Sequence, residues 1–195
     1  MYSCLLCGVG GQGTVLASRL MAQAAMEKGY FARTAETIGM AQRGGCVVSH
    51  VRVAEGDIAS SLIPVGGADV LVGFEPGEAV RCLKYLKPDG LAVVCKTPVA
   101  PVMASLKGDE YDADAMMEYL KANAKHLIVL DAEEIVRVCG TMRALNVALL
   151  GAVAASGKMP LTMEEAENAL RKKIKPELLE INLTALKYGA GVKEE

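Results

Sequence analysis

A glycine-rich stretch near the N-terminus, Gly8-Val9-Gly10-Gly11-Gln12-Gly13, has the residue types that suit an anion site. It follows the apolar run 2–7 and precedes a segment with helical apolar spacing, so it predicts a sharp turn from a strand into a helix. Because glycine accepts positive φ angles, backbone N–H groups there can approach an anion at the helix N-terminus. The spacing also matches G-x-G-x-x-G, the dinucleotide-binding fingerprint. A close-packed strand–helix turn needs similar glycines without a ligand, so both interpretations stay open.

A second glycine-rich stretch, Gly39-Met40-Ala41-Gln42-Arg43-Gly44-Gly45, lies where a simple Rossmann unit would have a helix. Its three glycines and its lack of apolar periodicity predict a loop. Gln42 and Arg43, followed by Gly44 and Gly45, indicate an anion-receptive loop in which a guanidinium and backbone N–H groups converge. The alternative is an exposed turn that binds nothing.

Three further polar residues are candidates for a site. Glu36 lies near the position at which a dinucleotide-binding domain holds a ribose hydroxyl, although a carboxylate at a strand end is usually just exposed. His50 lies in a segment of strand-like alternation and is expected to be a structural histidine rather than a base. Asn146 falls inside an apolar helix, where it must bond to a neighbouring helix or to a ligand.

Composition places the chain among globular proteins. It has 195 residues, of which 52% are hydrophobic and 23% charged, which predicts a single domain over 1–195 with a sizeable core. The net charge of −2 offers no electrostatic reason to expect nucleic acid or an anionic membrane as a partner. The sequence shows no export signal and no membrane-spanning apolar run, so we expect a cytoplasmic protein.

The six cysteines are expected to be reduced and mostly buried. Cys4 and Cys7 form a C-x-x-C motif, but it falls within the first predicted strand. Residues three apart in a strand point to opposite faces, which rules out a disulfide and disfavours a shared metal ion. No ferredoxin-like cysteine run is present, so we expect no iron–sulfur cluster on this chain.

The order of predicted elements indicates an α/β fold: a Rossmann-like three-layer domain with a mostly parallel sheet and a helical C-terminal part. Pro88-Asp89-Gly90 predicts a turn, and 162–165 matches a capping box at a helix start. The segment 143–155 is apolar on nearly all sides, which predicts a helix buried in the chain or by a partner. In the second case the isolated chain would self-associate.

Taken together, the two glycine-rich stretches and 48–52 resemble the gamma-type subunit of the 2-oxoacid:ferredoxin oxidoreductases. The resemblance covers about the whole chain in order. The further matching segments are Ala68-Asp69-Val70-Leu71 with Glu75-Pro76, Asp131-Ala132, Asn146 with Leu150-Gly151, and Glu180-Ile181-Asn182-Leu183. The Gly-Met-Ala-Gln-Arg-Gly-Gly form is most similar to family members that act on indolepyruvate.

The resemblance implies oxidative decarboxylation of an aryl 2-oxoacid such as indolepyruvate, with coenzyme A as acyl acceptor and ferredoxin as electron acceptor. It also implies a larger catalytic subunit that carries thiamine diphosphate and the iron–sulfur clusters. This chain would then contribute no catalytic residue. Its candidate contacts to coenzyme A or another anion are Gly10, Gly11, Gln12, Gly13, Gln42, Arg43, Gly44, Gly45 and Asn146.

Two alternatives remain at this point. The first is a stand-alone NAD-binding oxidoreductase, which depends on the G-x-G-x-x-G spacing and Glu36. The predicted loop after Glu36 and the lack of an acid–base pair in the sequence count against it. The second is a noncatalytic module that senses a nucleotide or assists assembly.

Overall fold

The computed structural model describes residues 1–37, 45–99 and 111–195, which fold around one β-sheet. In these residues the sheet has six strands in the order β2-β3-β1-β4-β5-β6. The strands are β1 (Tyr2–Val9), β2 (Phe31–Glu36), β3 (Cys46–Ala54), β4 (Ala68–Gly73), β5 (Leu86–Cys95) and β6 (His126–Leu130). Only β3 runs against the others, so the predicted mostly parallel sheet is confirmed.

Helices cover both faces of the sheet. The helices are α1 (Thr14–Glu27), α2 (Pro76–Cys82), α3 (Ala113–Asn123), α4 (Ala132–Cys139), α5 (Leu145–Ser156), α6 (Met163–Lys173) and α7 (Pro176–Gly191). Helices α1 and α4 to α7 share one apolar core with the first face, whereas α2 and α3 pack on the second face. The α/β three-layer class and the helical C-terminal part are therefore confirmed.

The position of β3 is the main departure from a simple Rossmann order. It lies between β2 and β1 and is antiparallel to both. Its alternation is as predicted, since Val47, Ser49, Val51 and Val53 are buried on the face that α1 covers. The last pair of the β1–β3 ladder is Val9 with Cys46, so β3 begins where β1 ends.

The predicted turn at 88–90 is wrong. Strand β5 starts at Leu86, which pairs with Ala68, and the ladder resumes at Leu91 beside Val70. The extra residues of β5 bulge out of the ladder between these pairs, so Pro88-Asp89-Gly90 is accommodated without ending the strand. Helix α2 ends at Cys82, and a single 3₁₀ turn, Leu83–Tyr85, leads from it into β5.

The cysteines of β1 behave as the strand geometry predicts. Cys4 is buried in the core on the α1 face, and Cys7 is buried on the α2 face beside Cys82. All six cysteines are free thiols, and Cys46 is the exposed one. Burial raises the pKa of the Cys4 thiol far above its ordinary value, as expected of a structural cysteine.

Helix α5 forms the centre of the helical layer. Every residue from Leu145 to Ala154 is buried, which confirms the predicted buried helix. Helix α7 of the same chain crosses it, so α5 is covered from within and offers no apolar face for self-association. The crossing is close: a Cβ at Gly151 would lie 2.0 Å from the Leu186 carbonyl oxygen, and one at Gly189 would lie 1.7 Å from that of Ala148.

No single helix among the described residues is long and apolar enough to cross a membrane. Helix α4 and the segment 142–156 would together be long and apolar enough, by length and composition only, but the chain bends by 109° between them.

We predict that Gly151→Ala destabilises the fold. The added methyl group overlaps the Leu186 backbone, so α5 and α7 must separate, at an expected cost of about 1–3 kcal/mol. Gly191→Ala is the matched control, because nothing lies within 4 Å of a Cβ at the end of α7. Urea unfolding of both variants measures the difference. Equal free energies of unfolding would contradict the close helix crossing.

Candidate functional site

The glycine loop, residues 8–13, turns β1 into α1 as predicted. Gly11 and Gly13 have φ angles of 104° and 89°, in the left-handed region that favours glycine. A Cβ at Gly8 would lie 2.7 Å from the Cβ of Phe74, and one at Gly13 would lie 2.7 Å from Nδ2 of Asn146. Close packing therefore requires glycine at Gly8 and Gly13, and the backbone conformation favours glycine at Gly11 and Gly13.

Gln12 closes the space between the ends of β1 and β4. Its Oε1 accepts a hydrogen bond from the Val9 N–H at 2.6 Å, and its Nε2 donates to the Phe74 carbonyl at 3.1 Å. In open α/β sheets this crevice is the usual ligand site, since the helices following the two strands lie on opposite faces. Both ends of the Gln12 amide are engaged within the chain, so its side chain holds the loop in shape.

The second glycine-rich stretch meets the first. The Gly10 N–H donates to the Gly45 carbonyl at 2.8 Å, immediately before Cys46 pairs with Val9. Gln42, Arg43 and Gly44 lie outside the described residues. The structure thus brings Gly10, Gly11, Gln12, Gly13 and Gly45 together at the carboxyl edge of the parallel strands.

A pocket of about 300 Å³ opens beside the glycine loop. It is lined by Gly11, Gln12, Gly13, Val99, Met142, Arg143, Leu145 and Asn146. Asn146, predicted as a candidate, is only 4% exposed; its Oδ1 accepts from the Val147 N–H, and its Nδ2 faces Gly13. Arg143 is an exposed cation at the rim and was not predicted. Its only sequence signal is its place at the start of the apolar segment, which does not indicate what it faces.

The electrostatics of this pocket favour a negative group. Gly13 is the N-cap of α1 and no side chain caps this end, so first-turn N–H groups point outward with the positive end of the helix dipole. The first turn of α5 carries Asn146 to the same place. With the Arg143 guanidinium, these groups suit a phosphate or a carboxylate. They supply donors and positive charge, which is the chemistry of binding rather than of proton transfer.

Glu36 does not occupy a ribose-binding position. Strand β3 separates β2 from β1, so Glu36 lies two strand spacings, about 10 Å, from the strand that carries the glycine loop. Its carboxylate accepts a hydrogen bond from the Ser18 hydroxyl at 3.2 Å. This geometry counts against the NAD-binding alternative, and so does the Gln12 side chain, which closes the crevice between the ends of β1 and β4.

His50 is structural, as expected. Its Nδ1 accepts a hydrogen bond from the Ile63 N–H at 3.1 Å, and its ring meets Tyr85 edge-on with centroids 6.3 Å apart. Burial lowers the pKa of His50, because the charged form loses solvation.

Glu75 is a buried carboxylate at the start of α2. It caps α2 by accepting hydrogen bonds from the N–H groups of Gly77 and Glu78, and it also accepts from the Tyr111 hydroxyl. Burial raises the pKa of Glu75 despite these donors. Its oxygens are engaged by α2 and Tyr111, so its role is to fix the end of β4 beside the glycine loop.

The described residues thus form an α/β domain with a glycine loop and a small pocket at the carboxyl edge of its parallel strands. The chain belongs to the pyruvate ferredoxin/flavodoxin oxidoreductase family, whose profile matches residues 3–192. This confirms the family indicated by the glycine-rich motifs.

Relatives match along the whole chain. It is 39% identical to the indolepyruvate oxidoreductase subunit IorB of Archaeoglobus fulgidus over 183 residues, which are 93% of this chain and 90% of that protein. It is 34% identical to the subunit of the same name from Thermococcus kodakarensis, covering 100% of this chain and 96% of the relative. The crystal structure of pyruvate oxidoreductase subunit PORC from Thermotoga maritima matches with a TM-score of 0.72 and 25% identity, over 100% of this chain and 98% of that one.

We predict that His50 makes the stability depend on pH. Because the folded-state pKa is lowered, the unfolded chain binds more protons as the pH falls through about 6.5, and the free energy of unfolding decreases. His50→Asn retains an acceptor for Ile63 but cannot titrate. The stability difference between parent and variant should therefore shrink from about pH 8 to about pH 5.5, a range that spans the ordinary histidine pKa.

Urea unfolding across that range measures the effect, with His126→Asn as the control that leaves His50 in place. A parent–variant difference for His50 that stays constant with pH would contradict the prediction.

Proposed function

We propose that this chain is the small subunit of an indolepyruvate:ferredoxin oxidoreductase and that it is inactive without a larger catalytic subunit. The observation that carries the proposal is the similarity, along the whole chain, to subunits named for indolepyruvate. The geometry supports it, because the pocket beside the glycine loop offers groups suited to binding an anion, including Asn146 and Arg143. Ferredoxin is the proposed electron acceptor of the complex.

In the proposed reaction an aryl 2-oxoacid releases its carboxyl group as CO₂. The acyl carbon forms a thioester with coenzyme A, the thiol proton is released, and two electrons pass to ferredoxin. Thiamine diphosphate would supply the carbanion stabilisation and iron–sulfur clusters the electron transfer. We assign both to the larger subunit, since within 1–37, 45–99 and 111–195 no three His, Cys, Asp or Glu side chains are grouped to hold a metal ion.

The pocket beside the glycine loop is the proposed contact of this chain with an anionic part of coenzyme A. Gly11, Gln12 and Gly13 line the pocket at the uncapped N-terminus of α1, together with Asn146, and Arg143 adds a guanidinium. Gly10 and Gln12 hold the loop by their bonds to Gly45 and Phe74. Gln42, Arg43 and Gly44 belong to the same proposal as the stretch that leads into Gly45.

Reconstitution tests the subunit assignment. We expect the purified chain alone to show no activity, and a mixture with the large subunit to reduce a low-potential acceptor when indolepyruvate and coenzyme A are supplied. An activity of the large subunit that is indifferent to this chain would overturn the assignment. Pyruvate and 2-oxoglutarate serve as comparison substrates for the proposed specificity.

We predict that Arg143→Ala weakens anion binding. Loss of a charge-assisted hydrogen bond, about 1.5–3 kcal/mol, should raise the KM for coenzyme A about tenfold or more, with kcat retained. Arg137→Ala is the control, because Arg137 is exposed on the neighbouring helix α4 and pairs with Glu134. Steady-state kinetics of the reconstituted complex measure both variants.

The same kinetics identify the anion. A raised KM for coenzyme A alone supports a phosphate contact, whereas a raised KM for the 2-oxoacid alone would mean that the pocket receives the substrate carboxylate. Equal behaviour of Arg143→Ala and Arg137→Ala would show that the pocket binds neither.

A further inference from the structure

The two edge strands of the sheet, β2 and β6, differ in whether another segment covers their outer side. The outer edge of β6 is covered by the C-terminal residues: Glu194 forms an antiparallel bridge with Ile128, and the Glu195 N–H donates to the Leu127 carbonyl at 2.8 Å. The C-terminal tail is thus held against β6. In the part of the chain that the structure describes, β2 pairs with β3 alone, and its outer edge has no strand beside it.

An apolar groove runs alongside the open edge. It has a volume of about 440 Å³ and lies between α1 and β2, lined by Leu16, Arg19, Leu20, Ala22, Gln23, Met26, Ala32, Thr34 and Lys173. Leu16 is 38% exposed, Met26 49%, and Phe31 at the start of β2 53%. An unpaired strand beside exposed apolar side chains is a surface that proteins usually protect or use for association.

We propose that a second copy of this chain covers this edge, with the two β2 strands pairing antiparallel about a two-fold axis through Thr34. A two-fold axis normal to the sheet keeps each face continuous, so Thr34 faces Thr34 of the second copy. Ala32 then lies opposite Glu36 of the second copy, and Arg33 lies opposite Ala35. A register centred one residue earlier, on Arg33, would instead place Arg33 opposite Arg33, with like charges in direct contact.

Helix α1 is self-complementary about the same axis. The Ser18 hydroxyl bonds to Glu36, so these two residues lie level. Two strand residues, about 6.6 Å, correspond to about four helix residues, which brings Ala22 level with Thr34. Leu16 lies six residues before Ala22 and Met26 four residues after it, so the axis brings Leu16 of one copy close to Met26 of the other.

The expected distance between the α1 helices of the two copies also fits this arrangement. Helix α1 packs on β2 and β3 to a similar extent, so it lies about half a strand spacing inside the edge. Adding one strand spacing of about 4.8 Å between the copies places the two α1 axes about 10 Å apart. Packed helices lie 8–10 Å apart, so Leu16 and Met26 can fill the groove.

Charge complementarity selects a second copy as the occupant. Arg19 and Lys173 line the groove, and neither forms a salt bridge with another described residue. The proposed register brings Glu36 of the second copy opposite Ala32, on the groove face and near Lys173. The symmetry repeats this pair at the other end of the interface, so two ion pairs flank the Thr34 contact.

Sedimentation of the full-length chain over a range of concentrations tests the proposal. We expect a monomer–dimer equilibrium whose dissociation constant rises at least tenfold in Thr34→Arg, because two guanidinium groups would meet at the axis. Thr184→Arg is the matched control: it makes the same substitution at an exposed threonine of α7 and should leave the equilibrium unchanged. Circular dichroism of both variants checks that the fold is retained.

A charge exchange provides an independent test that does not depend on Thr34. Glu36→Lys and Lys173→Glu should each weaken the dimer several-fold, and the double variant should restore it to within about threefold of the parent. Failure of the double variant to restore the dimer would overturn the register.

The same measurements on the complex with the large subunit show whether the large subunit, rather than a second copy of this chain, covers the β2 edge. A monomeric chain at all concentrations would overturn the proposal. So would a dimer indifferent to Thr34→Arg, or an edge substitution that weakens binding of the large subunit while leaving self-association unchanged.

Discussion

The antiparallel pairing of β3 with β1 is the constraint on which the site depends. The ladder ends with Val9 opposite Cys46, and the next backbone contact joins the Gly10 N–H to the Gly45 carbonyl. Two loops that are far apart in sequence therefore meet at one edge of the sheet. The same insertion moves β2 outward, which separates Glu36 from the glycine loop and leaves β2 at the sheet edge.

The glycine loop shows how one fingerprint serves different purposes. In a dinucleotide-binding domain the crevice between neighbouring strands is left open for a pyrophosphate. Here Gln12 spans it, bonded to Val9 and Phe74, and the absent Cβ of Gly8 lets Phe74 pack against the loop. The open space lies instead on the α5 side of the loop, where Asn146 faces Gly13.

Packing in the helical layer positions that open space. Helix α5 is buried along its length, and the glycines at its crossing with α7 let the two backbones approach within contact distance. A rigid α5 fixes Asn146 at its first turn, and the short turn before it presents Arg143 at the rim. Stability and binding geometry are therefore linked, because the contact that buries the helix also orients its N-terminal residues.

The sequence by itself determined the elements whose signals are local. The alternation of β3, the capping box at Thr162 and Glu165, and the buried helix α5 each follow from spacings of two to four residues, and all are present. Tertiary structure alone decided the strand order, the bulge that absorbs 88–90, and the meeting of Arg143 with the glycine loop. These depend on contacts between distant segments, whose free energies come from pairing and burial and leave no periodic trace in the chain.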